Sequence, residues 1–355
     1  MIESGRCMIL KADMEKRVRL KDIAKEAGLS VSAVSMALKD DSTIAAKTIE
    51  RVKRIARDMG YSPDPALSAL SAYRTRLKVR SDFSVIGMVT NWSERDSWSQ
   101  REESKEVIRG AKERAMELGY SLQVFWAREG GTSPKRFTQI LKARGIRGLI
   151  LAPFEDNDDV LDMGWNNFSV VTVSRPTNYA FFHHVVQNHY MDMTRCWESL
   201  SERGYSRVGL IVEREFALRW KHQWEAAHLY GCSRSKENEH PIPILEVEGD
   251  QEGAMIRDWL KRHEPDAVIN RSAHFHEALA AEGLSCPGDI GYISLNVNDD
   301  IENATGMRHR RDVIGAMAVD ALNNLLHRNA KGPSDVITGT QVDGVWEEGE
   351  TLPFL

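Results

Sequence analysis

The sequence predicts an α/β protein with a small three-helix head at its amino-terminal end and a larger two-lobed body of doubly wound sheets. Residues 17–62 show the alternation of apolar and polar positions that is typical of a helix-turn-helix. From Phe83 onward, buried strand-like segments alternate with amphipathic helices, as in parallel sheets covered by helices. That alternation restarts after a loop near residue 190, so two similar halves are expected.

The head begins with a helix and a tight turn. The first helix carries an apolar stripe at helical spacing, formed by Ile23, Ala24 and Ala27. Gly28 then permits a sharp turn of the backbone, and Ser30 is suited to cap the next helix. A third helix, over about residues 47–59, supplies a supporting apolar face. The second helix of such an arrangement enters the major groove of DNA.

That second helix, over about residues 31–38, is expected to separate an inward face from an outward face. Val34 and Leu38 lie at i, i+4 and face inward. The outward residues, which can read base edges, are then Val31, Ser32 and Met36. Phosphates are held by hydroxyls and cations, and the residues suited to this role are Lys21, Ser30, Ser35 and Lys47. The alternative is that the pattern reflects only core packing of a helical protein.

Several short stretches of the head follow one another in a specific order and spacing: LKDIA (20–24), AGLS (27–30), VS (34–35), Leu38, TIERV (48–52) and MGYSP (59–63). This pattern closely resembles the LacI/GalR family of bacterial transcription regulators. The resemblance implies that Val31, Ser32 and Met36 touch bases. Many relatives carry arginine at the position of Met36, where it binds guanine. Met36 is suited instead to apolar contact with thymine methyl groups.

Residues 63–80 follow as a predicted hinge helix and linker. Pro65 suits the first turn of a short helix, and Asp64 suits its cap. The family resemblance implies that this helix forms on the operator, pairs with its dimer mate and inserts Leu70 into the minor groove, where an apolar wedge bends DNA. The alternative is an ordinary linker. Residues 1–16 are expected to be a disordered leader.

The charge of the chain is segregated between its two parts. Residues 1–80 contain 17 Lys and Arg against 10 Asp and Glu, which leaves 30 against 42 for residues 81–355. A basic end thus suits nucleic acid, whereas the acidic body should not adhere to it. The 4 cysteines are scattered without a CxxC pair, and the chain has no apolar run long enough to span a membrane. We expect a bacterial cytoplasmic protein associated with the nucleoid.

The body, residues 81–355, resembles the periplasmic-binding-protein-like core of the same family, with ligand loops at the carboxyl ends of its strands. The family fold implies three crossings of the chain between lobes, which we expect near Ser174, Ala304 and Lys331. Lobe 1 would then comprise about 83–174 and 305–330, and lobe 2 about 175–304 and 331–355.

The effector is expected to bind between the lobes. Aromatic faces stack on sugar rings, and the resemblance places a set of cleft-loop residues as candidates: Trp92, Trp98, Phe154, Arg175, Asn188, Arg219, Trp220 and Asn296. The family's frequent Asp-Asn pair appears here as Gln187-Asn188, and a late acidic position appears as Asn296. Amides thus stand at the two positions, 187 and 296, where relatives often carry carboxylates that hold sugar hydroxyls. For each tryptophan the alternative is core packing, and for Arg219 it is a lobe-bridging salt bridge.

The sequence lacks the residue spacings that are typical of metal sites and of catalytic or cofactor-binding motifs. His183, His184, His189, His274 and His276 have no accompanying ligands at metal-site spacings, so no metal site is expected. No GxSxG, P-loop or GxGxxG motif follows a strand, so neither an enzyme nor a cofactor is expected.

The sequence therefore predicts a homodimeric transcription regulator, a repressor, that binds double-stranded operator DNA under the control of a small molecule, expected to be a carbohydrate. Three alternatives stay open at this point. They are an activator of the same architecture, a soluble sugar-binding protein with a vestigial head, and an enzyme that uses the cleft.

Overall fold

A computed structural model describes residues 18–38, 43–61, 84–155, 160–175, 181–234, 241–272 and 274–355. The contacts within the chain separate two compact units, Met1–Asp82 and Phe83–Leu355. The body thus begins two residues after the predicted start at residue 81. The predicted leader and the predicted hinge, including Leu70, lie outside the described residues.

The head contains three described helices: α1 (Leu20–Ala27), α2 (Val31–Ala37) and α3 (Ala46–Asp58). Gly28 ends α1 in the left-handed region at φ 62°, which a residue with a side chain rarely adopts. The Leu29 N–H donates to the Ala24 carbonyl at 3.0 Å, which closes this turn. The Ser30 Oγ accepts from the Ala33 N–H at 3.1 Å, so the predicted helix cap is confirmed.

One small apolar core holds the three helices together. Its buried members come from all of them: Ile23, Ala24, Ala27, Val34, Ala37, Val52 and Ala56. Leu38, which we expected to face inward, is only half-buried, because α2 ends one residue earlier and Leu38 caps it. Ala37 takes the fully buried position instead.

The described residues of the body form two six-stranded sheets. Twelve strands build them: β1 (Ser84–Thr90), β2 (Tyr120–Trp126), β3 (Gly148–Leu151), β4 (Ser169–Thr172), β5 (His183–Gln187), β6 (Val208–Glu213), β7 (Leu245–Val247), β8 (Ala267–Asn270), β9 (Gly291–Ser294), β10 (Gly306–Arg308), β11 (Gly339–Val342) and β12 (Val345–Glu347).

The first sheet has the order β11-β5-β4-β3-β1-β2, and its paired strands are all parallel. The second has the order β12-β10-β9-β8-β6-β7, and only β12 pairs antiparallel, with β10. Each sheet has an apolar cluster on both faces, because successive strand residues point to opposite sides. The predicted doubly wound architecture is therefore confirmed.

In the described part of the body, eight helices cover these sheets: α4 (Glu102–Glu117), α5 (Pro134–Ala143), α6 (His189–Arg203), α7 (Arg214–Arg219), α8 (Gln223–Arg234), α9 (Glu252–His263), α10 (Phe275–Ala281) and α11 (Arg311–His327). The helices α4, α5 and α11 pack on the first sheet, and α6 to α10 pack on the second. Within the described ranges, none of the helices is both long enough and apolar enough to span a lipid bilayer.

The chain crosses between the lobes at later positions than we predicted. Because β5 pairs with β4 and β11, the first crossing follows Gln187 and not Ser174. The second occupies His309 and Arg310, between β10 of one sheet and α11 on the other. The third, at residues 343–344, joins β11 to β12. The expected lobe limits are therefore wrong. The chain after β4 stays in the first lobe, because β5 pairs with β4 in the first sheet.

The helix α11, the longest of the described helices, packs closely against α4. Gly110 on α4 and Gly315 on α11 allow this approach. A Cβ added to Gly110 would lie 1.9 Å from the Asp312 carbonyl oxygen, and one added to Gly315 would lie 2.1 Å from that of Val107. This helix begins directly after the second crossing and returns the chain to the first lobe.

Candidate DNA-binding face and inter-lobe cleft

The outer face of α2 presents the three predicted base-reading residues. Val31 is 47% exposed although its side chain is apolar, and Ser32 is exposed as well. Met36 is half-buried, and its sulfur accepts from the Ser32 hydroxyl at 3.9 Å. A branched apolar residue exposed on a rigid capped helix has no part in the core of the head. It is therefore available to a partner surface.

The four predicted phosphate-binding residues differ in their exposure and in the hydrogen bonds that they already make. Lys21 and Lys47 are exposed, at the amino-terminal turns of α1 and α3. Ser30 is exposed, but its oxygen already accepts the capping bond of α2, so its hydroxyl proton is what it can offer a phosphate. Ser35 is half-buried. The lysines thus provide the two accessible charges of this set.

Arg51 has a structural role in the head that we did not predict. Its Nη2 donates to the Ala27 carbonyl at 3.0 Å. Ala27 ends α1 immediately before the turn at Gly28, so this bond ties α3 to the corner of the helix-turn-helix. The arginine therefore helps to fix the angle at which α2 is presented.

In the body, the loops at the carboxyl ends of β1, β2 and β3 are tied together through Trp92. Its indole nitrogen donates to the Pro153 carbonyl at 2.8 Å, and its own carbonyl accepts from the Trp126 indole at 2.8 Å. The guanidinium of Arg101 lies over the Trp92 ring, 5.5 Å from its centroid. The ring is half-buried and forms part of a rigid wall of the first lobe.

Arg219, at the end of α7, connects the two lobes. Its Nη1 donates to the Phe154 carbonyl at 3.2 Å, and its Nη2 donates to the Glu155 carbonyl at 3.1 Å. The side chain is 11% exposed and is also paired with Glu215. The alternative of a lobe-bridging arginine is what the structure shows, with backbone carbonyls in place of a carboxylate. A role in holding an effector stays a prediction.

The other predicted effector residues divide by exposure. Trp98 is 3% exposed and packs in the core of the first lobe, so its ring does not face the cleft. The Phe154 ring is also in the core, and its carbonyl accepts a hydrogen bond from the other lobe. Asn188 caps α6 and donates to Asp343. Arg175 is exposed, and Asn296 is buried at 3% exposure.

Trp220 contacts a buried histidine in the second lobe. The ring of His189 lies 4.5 Å from that of Trp220 and 4.6 Å from that of Trp224, measured between centroids. His189 is 2% exposed. Burial, with the positive charge of Arg271 as a smaller cause, lowers the pKa of His189 to about 3. The imidazole is therefore neutral at physiological pH.

Two further side chains complete a cluster around His189. The carboxylate of Asp192, 1% exposed, accepts from the Gly344 N–H at 2.9 Å and from the Gln187 amide at 2.8 Å. Its Oδ2 lies 3.6 Å from the Nε2 of His309. Burial raises the pKa of Asp192 to about 6, and burial holds the pKa of His309 well below its usual range.

Sequence reasoning missed this cluster because its members are distant along the chain. Along the sequence the nearest histidines to His189 are His183 and His184, which lie on a different element, the strand β5. The available signal was a histidine and an aspartate at i, i+3 in one helix, which places both on one face. Nothing in the sequence paired them with His309.

A groove of about 740 Å³ lies elsewhere on the first lobe. Its walls come mainly from α4 and from β2, and they carry both acidic and basic side chains. It contains none of the residues predicted for the effector. The convergence of strand ends, and not this groove, marks the candidate ligand site.

Two family models match the chain. Residues 19–64 match the model for bacterial regulatory proteins of the lacI family. Residues 197–344 match the model for a periplasmic binding protein-like domain. The first match includes the three described helices of the head, and the second begins within α6 and ends at the third crossing.

Curated relatives and solved structures agree with these matches. The HTH-type transcriptional regulator MalR of Streptococcus pneumoniae is 27% identical over 147 residues, which is 41% of this chain and 42% of that protein, less than half of its length. The lactose operon repressor of Escherichia coli is 27% identical over 334 residues, 87% of this chain and 85% of that one. Among solved structures, a transcriptional regulator CelR–cellobiose complex superimposes with a TM-score of 0.57 at 17% identity, over 94% of this chain and 100% of that one. This last likeness concerns the fold.

Proposed function

The chain belongs to the LacI family of bacterial regulatory proteins, and we propose that it is a transcriptional repressor whose affinity for a specific operator is set by a small molecule bound between its lobes. The observation that supports this most is the outer face of α2. It is held by the Gly28 turn and the Ser30 cap, and it exposes Val31 and Ser32 away from the core of the head.

On DNA, α2 would lie in the major groove. Val31 and Met36 would contact thymine methyl groups, and the Ser32 hydroxyl would bond a base edge. Lys21 and Lys47 would contact phosphates, with Ser30 and Ser35 as hydroxyl donors. Two heads of a homodimer would read the halves of a near-palindromic site, and the proposed hinge would place Leu70 at its centre.

The effector that we propose is a carbohydrate. One structural neighbour is a complex with cellobiose, and the cleft of this chain offers aromatic and amide side chains suited to such a ligand. The half-buried rings of Trp92 and Trp220 would stack on the sugar, while Asn188, Asn296 and Arg175 would bond its hydroxyls. Arg219 would exchange its bonds to the first lobe for bonds to the ligand.

Regulation follows from that exchange. A ligand that breaks or replaces the contact between Arg219 and the carbonyl of Phe154 changes the balance between open and closed lobes. If the two lobe arrangements differ in DNA affinity, the ligand alters operator occupancy by its differential affinity for them. We propose that it acts in the bacterial cytoplasm, where the operator is.

The test is selection of genomic fragments by the purified full-length chain, followed by gel shifts of the recovered fragments at two salt concentrations. The proposal predicts a recurrent near-palindromic sequence and binding that weakens steeply with salt, because phosphate contacts release counterions. A head that has lost DNA binding would recover fragments without a common sequence. The position of the site relative to its promoter then separates repression from activation.

A further inference from the structure

The carboxylate of Asp192 contacts all three crossings between the lobes. Gln187, which bonds it at 2.8 Å, is the last residue before the first crossing. His309, whose Nε2 lies 3.6 Å away, belongs to the second. Gly344, whose N–H bonds it at 2.9 Å, belongs to the third. Any group bound at this carboxylate is therefore placed where the lobes move relative to each other.

Beside this carboxylate, the buried ring of His189 lacks hydrogen bonds in the described structure. Its ring is 2% exposed, yet neither ring nitrogen has a hydrogen-bond partner among the described residues. A neutral imidazole carries one N–H donor and one lone pair, and burying such groups without partners costs about 1–3 kcal/mol. The two tryptophan rings that enclose it supply packing but no acceptor or donor at this point.

His309 also has a ring nitrogen without a hydrogen-bond partner within the residues that the structure describes, and this nitrogen lies next to the Asp192 carboxylate. The Leu295 backbone carbonyl is a hydrogen-bond acceptor for the His309 ring, and Nε2 has no partner in the described part of the chain, so we assign the ring N–H to Nδ1. In the neutral ring, Nε2 then carries a lone pair that faces the Asp192 carboxylate. Two electron-rich atoms at this separation repel each other unless a cation or a proton lies between them.

We propose that His189, Asp192 and His309 bind a late first-row divalent cation such as Zn²⁺ or Co²⁺. The candidate ligand atoms of these residues all lie within 4.8 Å of one another. Ligands about 2.0–2.1 Å from zinc lie about 3.3 Å apart in a tetrahedron, so small side-chain shifts close the set. Two imidazoles and one carboxylate suit these cations.

Neighbouring groups orient two of the three proposed ligands through hydrogen bonds. The Leu295 carbonyl orients the His309 ring, and Gln187 and Gly344 orient the Asp192 carboxylate, as partners of metal ligands commonly do. Two cations oppose a metal here, Arg271 and Arg311. Arg311 is paired with Glu103 and Glu106 at 3.7 Å each, and Arg271 acts on the nearby Glu213. Acidic partners therefore offset both charges.

A cation at this site would fasten His309 to Asp192 and so join the crossings directly. We expect it to restrict the movement between lobes. An effect of the metal on operator affinity rests on the proposed function, but metal binding itself does not. The two proposals can therefore fail separately, since binding is measured without DNA.

The experiment uses the full-length chain without a histidine tag, treated with a chelator and titrated with Co²⁺. The visible absorption of bound Co²⁺ reports its coordination by nitrogen and oxygen ligands. We expect one Co²⁺ per chain, displaced by Zn²⁺. The variants His309→Gln and Asp192→Asn should weaken binding by about tenfold or more. The matched control is His222→Gln, which changes a second histidine–carboxylate group that is largely exposed.

Because Asp192 is buried, its variant could fail to fold, so a second measurement uses the unaltered chain. Co²⁺ bound at His189 should quench the fluorescence of the adjacent Trp220 and Trp224, and Zn²⁺ should reverse the quenching. Absence of Co²⁺ binding by the unaltered chain would overturn the proposal. So would binding that persists in His309→Gln, or binding that is lost in His222→Gln.

Discussion

The guanidinium of Arg219 in the second lobe donates to the backbone carbonyl of Phe154 in the first lobe at 3.2 Å. A second bond, to the Glu155 carbonyl at 3.1 Å, fixes the orientation of the guanidinium. Backbone carbonyls cannot change their charge or rotate away as side chains do. The contact therefore reports directly whether the lobes are closed at this point of the cleft.

We predict that Arg219→Ala weakens effector binding by about tenfold or more, since hydrogen bonds to charged groups contribute about 1.5–3 kcal/mol. The measurement is calorimetric titration with the carbohydrate that alters DNA binding. The control is Arg214→Ala, which removes an exposed arginine of the same helix that pairs with Glu248 at 3.6 Å. Equal affinity in Arg219→Ala and the unaltered chain would show that this arginine only bridges the lobes.

Lys47→Ala should weaken DNA binding by a similar factor for every sequence tested. The exposed ammonium is expected to contact a phosphate, which carries no sequence information. The slope of log affinity against log salt concentration should fall in magnitude by about 1. Lys142→Ala, which removes a lysine from α5 of the body, serves as the control. A slope unchanged by Lys47→Ala would remove Lys47 from the phosphate contacts.

Gly110→Ala should destabilise the body by about 1–3 kcal/mol, the usual cost of overpacking. The added methyl group would collide with the Asp312 backbone at 1.9 Å and push α11 away from α4. Chemical denaturation measures the effect. Gly253→Ala is the matched control in a helix, because there the added carbon meets only the Arg257 guanidinium at 3.5 Å. Equal stability of the two variants would contradict the close packing of α4 and α11.

Burial lowers the pKa of His228 to about 4 in the folded chain. Protonation therefore favours the unfolded chain, so the stability that His228 contributes is complete above its ordinary pKa of about 6.5 and is lost as the pH falls toward 4. The full loss is about 3 kcal/mol. Replacing His228 with leucine should flatten the dependence of unfolding free energy on pH between these values.

The control for that measurement is His327→Gln, which changes an exposed histidine at the end of α11. It should leave the slope unaltered. Other buried histidines will keep part of the slope in the leucine variant. If the slope is the same with and without His228, its burial does not couple to folding in this way.

The elements that the sequence predicted well are those with a strong local signal. Continuous apolar runs predict strands over residues 84–90 and 267–270, and a proline at a helix start predicts a helix over 134–143. The strands β1 and β8 and the helix α5 lie at these residues. The Gly28 turn and the Ser30 cap are also local chemistry. These features follow from neighbouring residues and need no knowledge of the rest of the chain.

What escaped prediction depends on contacts between distant segments. The strand β5 contains two histidines, which hide its apolar character, and so the first crossing was placed before it. Trp98 carries the same aromatic signal as Trp92, and only packing decides that one is in the core and the other faces the loops. The cluster of His189, Asp192 and His309 forms because two crossings meet, which no local pattern encodes.

The most direct measurement of the central claim is a change of DNA specificity produced by the outer face of α2. Met36→Arg replaces an apolar contact by a group that can bind guanine through two hydrogen bonds. In selection from random duplexes, we predict that the preferred sequence changes at the same base pair in both halves of the site, with the other positions kept. A preferred sequence identical to that of the unaltered chain, or no preference in either, would contradict the claim that α2 reads the operator.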